Sequence, residues 1–336
     1  MANLLIVLVI AFNFATAQDV SDEMEGRLKQ AKASFDSGKF DKVIELLNPY
    51  TDQLDNNGFL MLAMSYSNKK DYANEVRVLN IIANNEEENF KWQMLLAQGY
   101  LKQAGAHPNS PKSTDLLTQG IQRLRVTMRL NPKYKPAFDL LLNTFLQQKS
   151  NNEARELLSE GIEKFGKRPD LFKELCRLDA VDGYLVQAVE HCRESIRLSP
   201  NYPDHYVYLI QALHDQKENI PAEKTAVNAA KKFGQSEFVQ WAAGTLFLKK
   251  KNFPVATRYF QTALKAKPDC GRCFFGLAQS LFEQGQEQQA LDYFVKACKA
   301  DPSTGETFHM YAGKMKQTNQ RELTAKYVQQ ANNCRF

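Results

Sequence analysis

Apolar residues recur along this chain with a long period as well as with the short period of a helix. Pro132, Pro200, Pro268 and Pro302 are separated by multiples of 34 residues. Alignment on that spacing opens units at Lys135, Pro169, Pro203, Glu237, Gly271 and Gly305, with no insertion between them. With the first residue of each unit as position 1, position 20 holds Ala154, Ala188, Ala222, Ala256, Ala290 and Thr324. Position 7 holds Leu141, Leu175, Leu209, Ala243, Leu277 and Tyr311, and position 24 holds Leu158, Cys192, Ala226, Phe260, Phe294 and Val328. Positions 4, 7, 8 and 11 are mostly apolar, as are 20, 24, 27 and 28; each set has the spacing of one helix face. Breakers such as Gly183, Gly285 and Lys251-Asn252 fall near position 15, and Pro or Gly follows position 31. The pattern predicts helix, tight turn, helix and stop in every unit. Small residues at positions 8 and 20 let the two helices approach closely.

Phe274, Leu277, Ala278, Ala290, Phe294, Ala297 and Pro302 fill positions 4, 7, 8, 20, 24, 27 and 32 of one unit. In these residues the chain resembles the tetratricopeptide repeat (TPR) family, with Leu281 standing where that family carries an aromatic residue. The preceding unit offers Gly244, Phe247, Ala256, Phe260, Ala263 and Pro268. Residues 56–89 form a further unit, marked by Phe59, Leu62, Ala63, Tyr66, Asp71-Tyr72 and Leu79. Residues 90–134 form a 45-residue unit with Leu96, Ala97, Tyr100, Gly120, Leu124 and Pro132, whose surplus is expected as an inserted loop at 103–114. A divergent first unit, about 24–55, carries Phe35, Gly38, Phe40 and Leu47. With 135–168, 169–202, 203–236, 237–270, 271–304 and 305–336, about nine repeats cover residues 18–336. The resemblance implies an all-α fold: an α-solenoid, a right-handed superhelix of antiparallel helix pairs whose first helices line a concave groove. One pair cannot bury its apolar face alone, so neighbours stack into a single array. That expectation replaces the two domains suggested by a length of 336 residues.

Residues 1–17, MANLLIVLVIAFNFATA, carry no charged side chain. Their apolar run from Leu4 to Phe14, followed by Ala15-Thr16-Ala17, reads as a signal peptide: too short to span a bilayer comfortably and ending in a small-x-small cleavage pattern. An exported, periplasmic product is expected, with secretion or an uncleaved membrane anchor as the alternatives. The composition, 43% hydrophobic and 24% charged, supports a buried core. The net charge of +5 is dispersed and disfavours nucleic acid as a partner.

Little points to catalysis. His107, His191, His205, His214 and His309 show no metal-ligand spacing, and no phosphate loop or nucleophile elbow is present. No cofactor or metal is expected. The six cysteines all lie between 176 and 334. In an antiparallel pair turning near position 16, Cys176 (position 8) and Cys192 (position 24) sit level, as do Cys273 (position 3) and Cys298 (position 28). Both pairs are expected as disulfides in an oxidising compartment. Cys270 and Cys334 are left without such a partner. Cys270-Gly271-Arg272-Cys273 is a C-x-x-C, which keeps a thiol-redox or zinc reading open.

If the family geometry holds, positions 2, 5, 6, 9, 12 and 13 face the groove. They include Tyr208, Gln211, His214, Phe238, Trp241, Thr245, Leu248, Lys249, Arg272, Phe275, Gln279 and Phe282. Large aromatics interleaved with amide and basic groups suit an extended peptide or a partner helix. The paired Lys and Asn with which some TPR proteins grip a terminal carboxylate are not reproduced: Lys173 and Arg177 hold those places in one unit, Asp139 and Asn143 in another. The resemblance thus implies a non-catalytic protein–protein interaction scaffold or adaptor of the bacterial cell envelope. The alternatives are a membrane-tethered assembly factor retaining its N-terminal anchor, and a thiol-redox or zinc protein using Cys270 and Cys273.

Overall fold

A computed structural model describes residues 23–334 except Asn109 and Asn319; the signal-like residues 1–17 lie outside the described residues. Helices account for the described secondary structure, with no strand among those residues. The chain divides into two compact units, one reaching Leu157 and one starting at Leu158.

The first unit contains α1 (23–36), α2 (Phe40–Leu47), α3 (Asn56–Asn68), α4 (Tyr72–Asn85), α5 (Phe90–Ala106), α6 (Pro111–Leu130) and α7 (Lys135–Gln147). The division falls within α8 (Asn151–Phe165). The second unit continues with α9 (Pro169–Asp182), α10 (Leu185–Leu198), α11 (Pro203–Asp215), α12 (Asn219–Lys232), α13 (Glu237–Lys249) and α14 (Phe253–Ala266). It ends with α15 (Gly271–Phe282), α16 (Glu287–Ala300), α17 (Gly305–Met315) and α18 (Arg321–Asn333). The odd-numbered helices from α3 to α17 begin at the residues that open the repeat units. In both units the apolar faces meet in continuous clusters: Val43, Leu47, Leu62 and Leu96 are buried in the first, Leu277, Phe294, Phe308 and Tyr327 in the second.

The turns follow one chemical plan. Position 15 adopts a left-handed conformation in seven repeats, at Gly38, Lys70, Lys149, Gly183, Lys217, Lys251 and Gly285, with φ from 58° to 82°. In each, the next residue's N–H reaches back to the carbonyl at position 11, from Lys39 to Ser34 through Gln286 to Leu281, at 2.8 to 2.9 Å. These are Schellman closures, which satisfy the carbonyls that a helix end leaves open. Packing then depends on small residues. Ala188, Ala222, Ala256 and Ala290 are fully buried, and Phe260 sits between two glycines. A Cβ at Gly244 would lie 2.8 Å from its ring, and one at Gly276 would lie 2.4 Å away.

The surplus of the long repeat is not a loop. α5 runs for 17 residues and α6 for 20, against 13 and 14 in α3 and α4. Only residues 107–110 connect them. The surplus is taken up mostly as helix: α5 gains four residues over α3, close to one turn at 3.6 residues per turn, and α6 gains six over α4, so the apolar stripe of each runs on past the usual turn. Ser110 caps α6 by accepting from Lys112 N–H at 3.3 Å, and Ser113 Oγ donates to Ala104 O at 3.1 Å, tying the lengthened ends together.

Candidate partner-binding site

The first helices of two consecutive pairs, α11 and α13, frame a cleft of about 210 Å³. Their facing positions recur every three or four residues, so each helix presents one stripe. Val207 and Ile210 of α11 oppose Trp241, Ala242 and Leu246 of α13, while Gln211, His214, Thr245 and Lys249 supply the polar groups. Five of the residues expected in the groove therefore meet in one place: Gln211, His214, Trp241, Thr245 and Lys249. The floor residues Val207, Ile210, Ala242 and Leu246 were not singled out from sequence. Val207 and Ala242 do stand at positions 5 and 6, which the repeat register turns to the groove, whereas Ile210 and Leu246, at positions 8 and 10, carry no signal beyond periodicity.

Burial, followed by the positive charge of Lys249, holds the His214 imidazole below its ordinary range. It is thus neutral near pH 7, and its Nδ1 is buried without a hydrogen-bond partner in the chain. Lys249 Nζ lies 3.3 Å from Asp215 Oδ1 at the rim. The cleft therefore combines an apolar floor with a neutral ring, an amide, a hydroxyl and an ammonium.

A second cluster adjoins it. The Arg272 guanidinium stands 4.0 Å from the centre of the Phe238 ring and 4.8 Å from that of Trp241, and its Nη2 lies 3.3 Å from Glu237 Oε1. Such cation–π stacking straightens and orients a long side chain. Trp241 also packs on the buried Cys270, Cys273 and Ala263, so one ring bridges the cleft and the junction before α15.

The other expected residues are engaged elsewhere. Phe275 packs edge-on to Phe294 at 5.7 Å, and Phe282 packs on Tyr311 at 4.9 Å and on Tyr327 at 5.9 Å. Gln279 hydrogen-bonds Tyr311, whose hydroxyl is pushed up to about 12 by burial and then by Glu283. Tyr208 and Leu248 are half-buried against the core clusters, and burial raises the Tyr208 hydroxyl as well.

The cysteines pair differently from expectation in two of three bridges. Cys176 and Cys192 are bonded, with Cα atoms 5.1 Å apart. Cys273 bonds Cys270, not Cys298, and Cys298 bonds Cys334. Lying level on paired helices does not make two side chains face each other. Cys273, on the first turn of α15, points back to Cys270 and Ala263, and one helical turn brings the i and i+3 Cα atoms to 5.2 Å. Cys298 faces the following pair, where Cys334 follows α18 and crowds Gly305; the bonded Cα atoms are 5.8 Å apart. Among the described residues no group of three or more His, Cys, Asp or Glu side chains is arranged to hold a metal, and no cysteine is free.

Residues 242–303 match a family model described as the tetratricopeptide repeat. No curated protein matches the chain. Among solved structures, yeast Tom70 is similar at 13% identity with a TM-score of 0.54, covering 86% of this chain and 59% of Tom70. The chain thus spans less than two thirds of that structure, and the likeness is one of fold. Pseudomonas aeruginosa PilF is similar at 17% identity and a TM-score of 0.48, covering 59% of this chain and 90% of PilF. YrrB, described as a TPR protein with an unusual peptide-binding site, is similar at 14% identity and a TM-score of 0.40, with 58% and 95% of the two chains covered.

Proposed function

We propose that this tetratricopeptide-repeat protein is a non-catalytic adaptor that holds a partner peptide or helix in the cleft between α11 and α13. The cleft itself carries the reading. Trp241 and the aliphatic floor can bury an apolar side chain, while Gln211, Thr245 and neutral His214 can hydrogen-bond an extended backbone. Lys249 adds a charge at the rim, where it tunes encounter more than affinity. A large aromatic in a partly desolvated pocket is the kind of residue that dominates interface energy. The compartment is part of the same proposal: export through residues 1–17 to a bacterial envelope. The apolar run of that segment supports it, as does the pairing of all six cysteines, since disulfides persist in oxidising surroundings.

A photo-crosslinking side chain in place of Thr245, activated in living cells, tests the binding reading. A discrete crosslinked polypeptide is expected, reduced about tenfold or more by Trp241→Ala, because truncating a central aromatic anchor costs roughly 2 kcal/mol or more. A crosslink unaffected by Trp241→Ala, in a variant that keeps its helical circular dichroism, rules out the cleft. The mass of the same purified chain tests the compartment: loss of residues 1–17 agrees with export, and their retention refutes cleavage.

A further inference from the structure

Glu75 breaks the small-residue column. It stands at position 20 of repeat 56–89, where five later repeats carry alanine and the last carries threonine. It is 4% exposed, on the first turn of α4. Oε1 accepts from Lys102 Nζ at 2.8 Å, and the same ammonium donates to Ser67 Oγ at 2.7 Å. Oε2 is buried and has no hydrogen-bond partner. A carboxylate oxygen left in that condition costs free energy, since charged groups taken out of water need their hydrogen bonds replaced. Gly99 of α5 keeps the neighbourhood narrow: a Cβ there would meet Val76 Cγ2 at 3.1 Å and Glu75 Cγ at 3.8 Å.

Glu75 also lines a cavity of about 200 Å³ between α3 and α5. Its walls include Leu60, Met64, Leu79 and Leu95, with Gln98 and Lys102 toward the rim. The volume falls below the range for drug-sized ligands and suits a single long side chain. Lys102 meets the carboxylate as a point charge on one oxygen, and its side chain is 41% exposed, so it can swing out to water when another cation takes its place on the buried carboxylate. A guanidinium fork matches both oxygens at once. The terminal torsion of a glutamate is broad, so the carboxylate can turn both oxygens toward the fork. An arginine's methylene stem would lie along the leucine and methionine walls, as long cationic side chains do on apolar surfaces.

We propose that the cavity between α3 and α5 is a recognition site for an arginine side chain of a partner polypeptide, with Glu75 as its acceptor and Lys102 as a resident competitor. The site belongs to the first unit and stands independently of the α11–α13 cleft. The probe is N-acetyl-L-arginine amide, titrated into the full chain while the carbon-13 methyl resonance of Met64 is followed. N-acetyl-L-citrulline amide, which keeps the shape without the charge, is the control. A saturable Met64 shift with the arginine probe is expected, at least about tenfold weaker with citrulline, as for a charge-assisted hydrogen bond replaced by a neutral one. Glu75→Gln should abolish the shift and Lys102→Met should tighten it. Glu75→Ala, which restores the alanine of the other repeats, should also abolish the shift while preserving the helical circular dichroism. The proposal is overturned by no saturable shift in the wild type, by equal binding of citrulline, by unchanged binding in Glu75→Gln, or by weaker binding in Lys102→Met.

Discussion

Lys217 holds a φ of 65° at the turn between α11 and α12, the conformation Gly183 and Gly285 adopt at the same repeat position. A side chain with a Cβ is disfavoured there by about 1–2 kcal/mol, whereas glycine enters without that penalty. Glycine also makes the unfolded chain more flexible, by roughly 0.4–1 kcal/mol. Lys217→Gly should therefore stabilise by about 0.5 kcal/mol, seen as a small rise in the urea midpoint; a fall would contradict the turn assignment. His205 carries the pH dependence at this scale. Ser195 Oγ donates to Pro169 O at 2.7 Å, leaving its oxygen to accept from His205 Nδ1 at 3.1 Å. Burial lowers the His205 imidazole below its ordinary value. The unfolded chain thus binds the proton more readily, so the stability is present above about pH 6.5 and fades as pH falls through the folded value. The melting temperature should drop between pH 7.5 and 5.5, and by less in His205→Gln.

Pairs of helices are joined by wedges as well as by stripes. Phe260 of α14 fills the space left by Gly244 of α13 and Gly276 of α15. Gly276→Ala would place a methyl group 2.4 Å from a fully buried ring that has no room to retreat. Overpacking of this kind costs about 1–3 kcal/mol. The variant should unfold at lower denaturant, and Gly276→Ala combined with Phe260→Leu should lose less than the two separate effects added together, because the residues share one space. The helix pairs were legible because stripe, turn and stop recur in most of the repeats, so noise at one position is averaged by the others. The lengthened α5 and α6 were hidden because Pro and Ser residues mark a helix start as readily as a loop. At Ser110-Pro111 they do the former.

At the scale of the molecule, repetition reveals architecture and conceals sites. Groove positions could be ranked only by their place in a unit, so Trp241 and Phe275 looked equivalent. The structure gives one to a cleft and the other to the core. Their difference lies in what stands over each ring: Phe294 of the same repeat closes over Phe275, whereas α11 of the preceding repeat turns the aliphatic and polar lining of the cleft toward Trp241. Bridges were partly hidden for the same reason, since register along a pair says nothing of which face a cysteine takes. Departures from the repeat proved the more telling signal. Glu75 in a column of alanines is visible in sequence once the column is extended to that unit. Gln240, at a mostly apolar position, is likewise explained by its amide donating to Ala230 O at 2.9 Å, which closes the end of α12.

The wedge at Phe260 has a mechanical corollary for the cleft. One jaw, α13, is keyed to α14 and α15 by an aromatic ring in two glycine notches, and its Trp241 rests on a disulfide. The other jaw, α11, is backed by α12, whose buried face is Ala222, Ala226, Ala229 and Ala230. Short methyl groups interlock shallowly and slide more easily than rings in sockets. If a guest enters the cleft as proposed, the alanine-backed jaw is the one expected to yield, with the tryptophan jaw as the anvil.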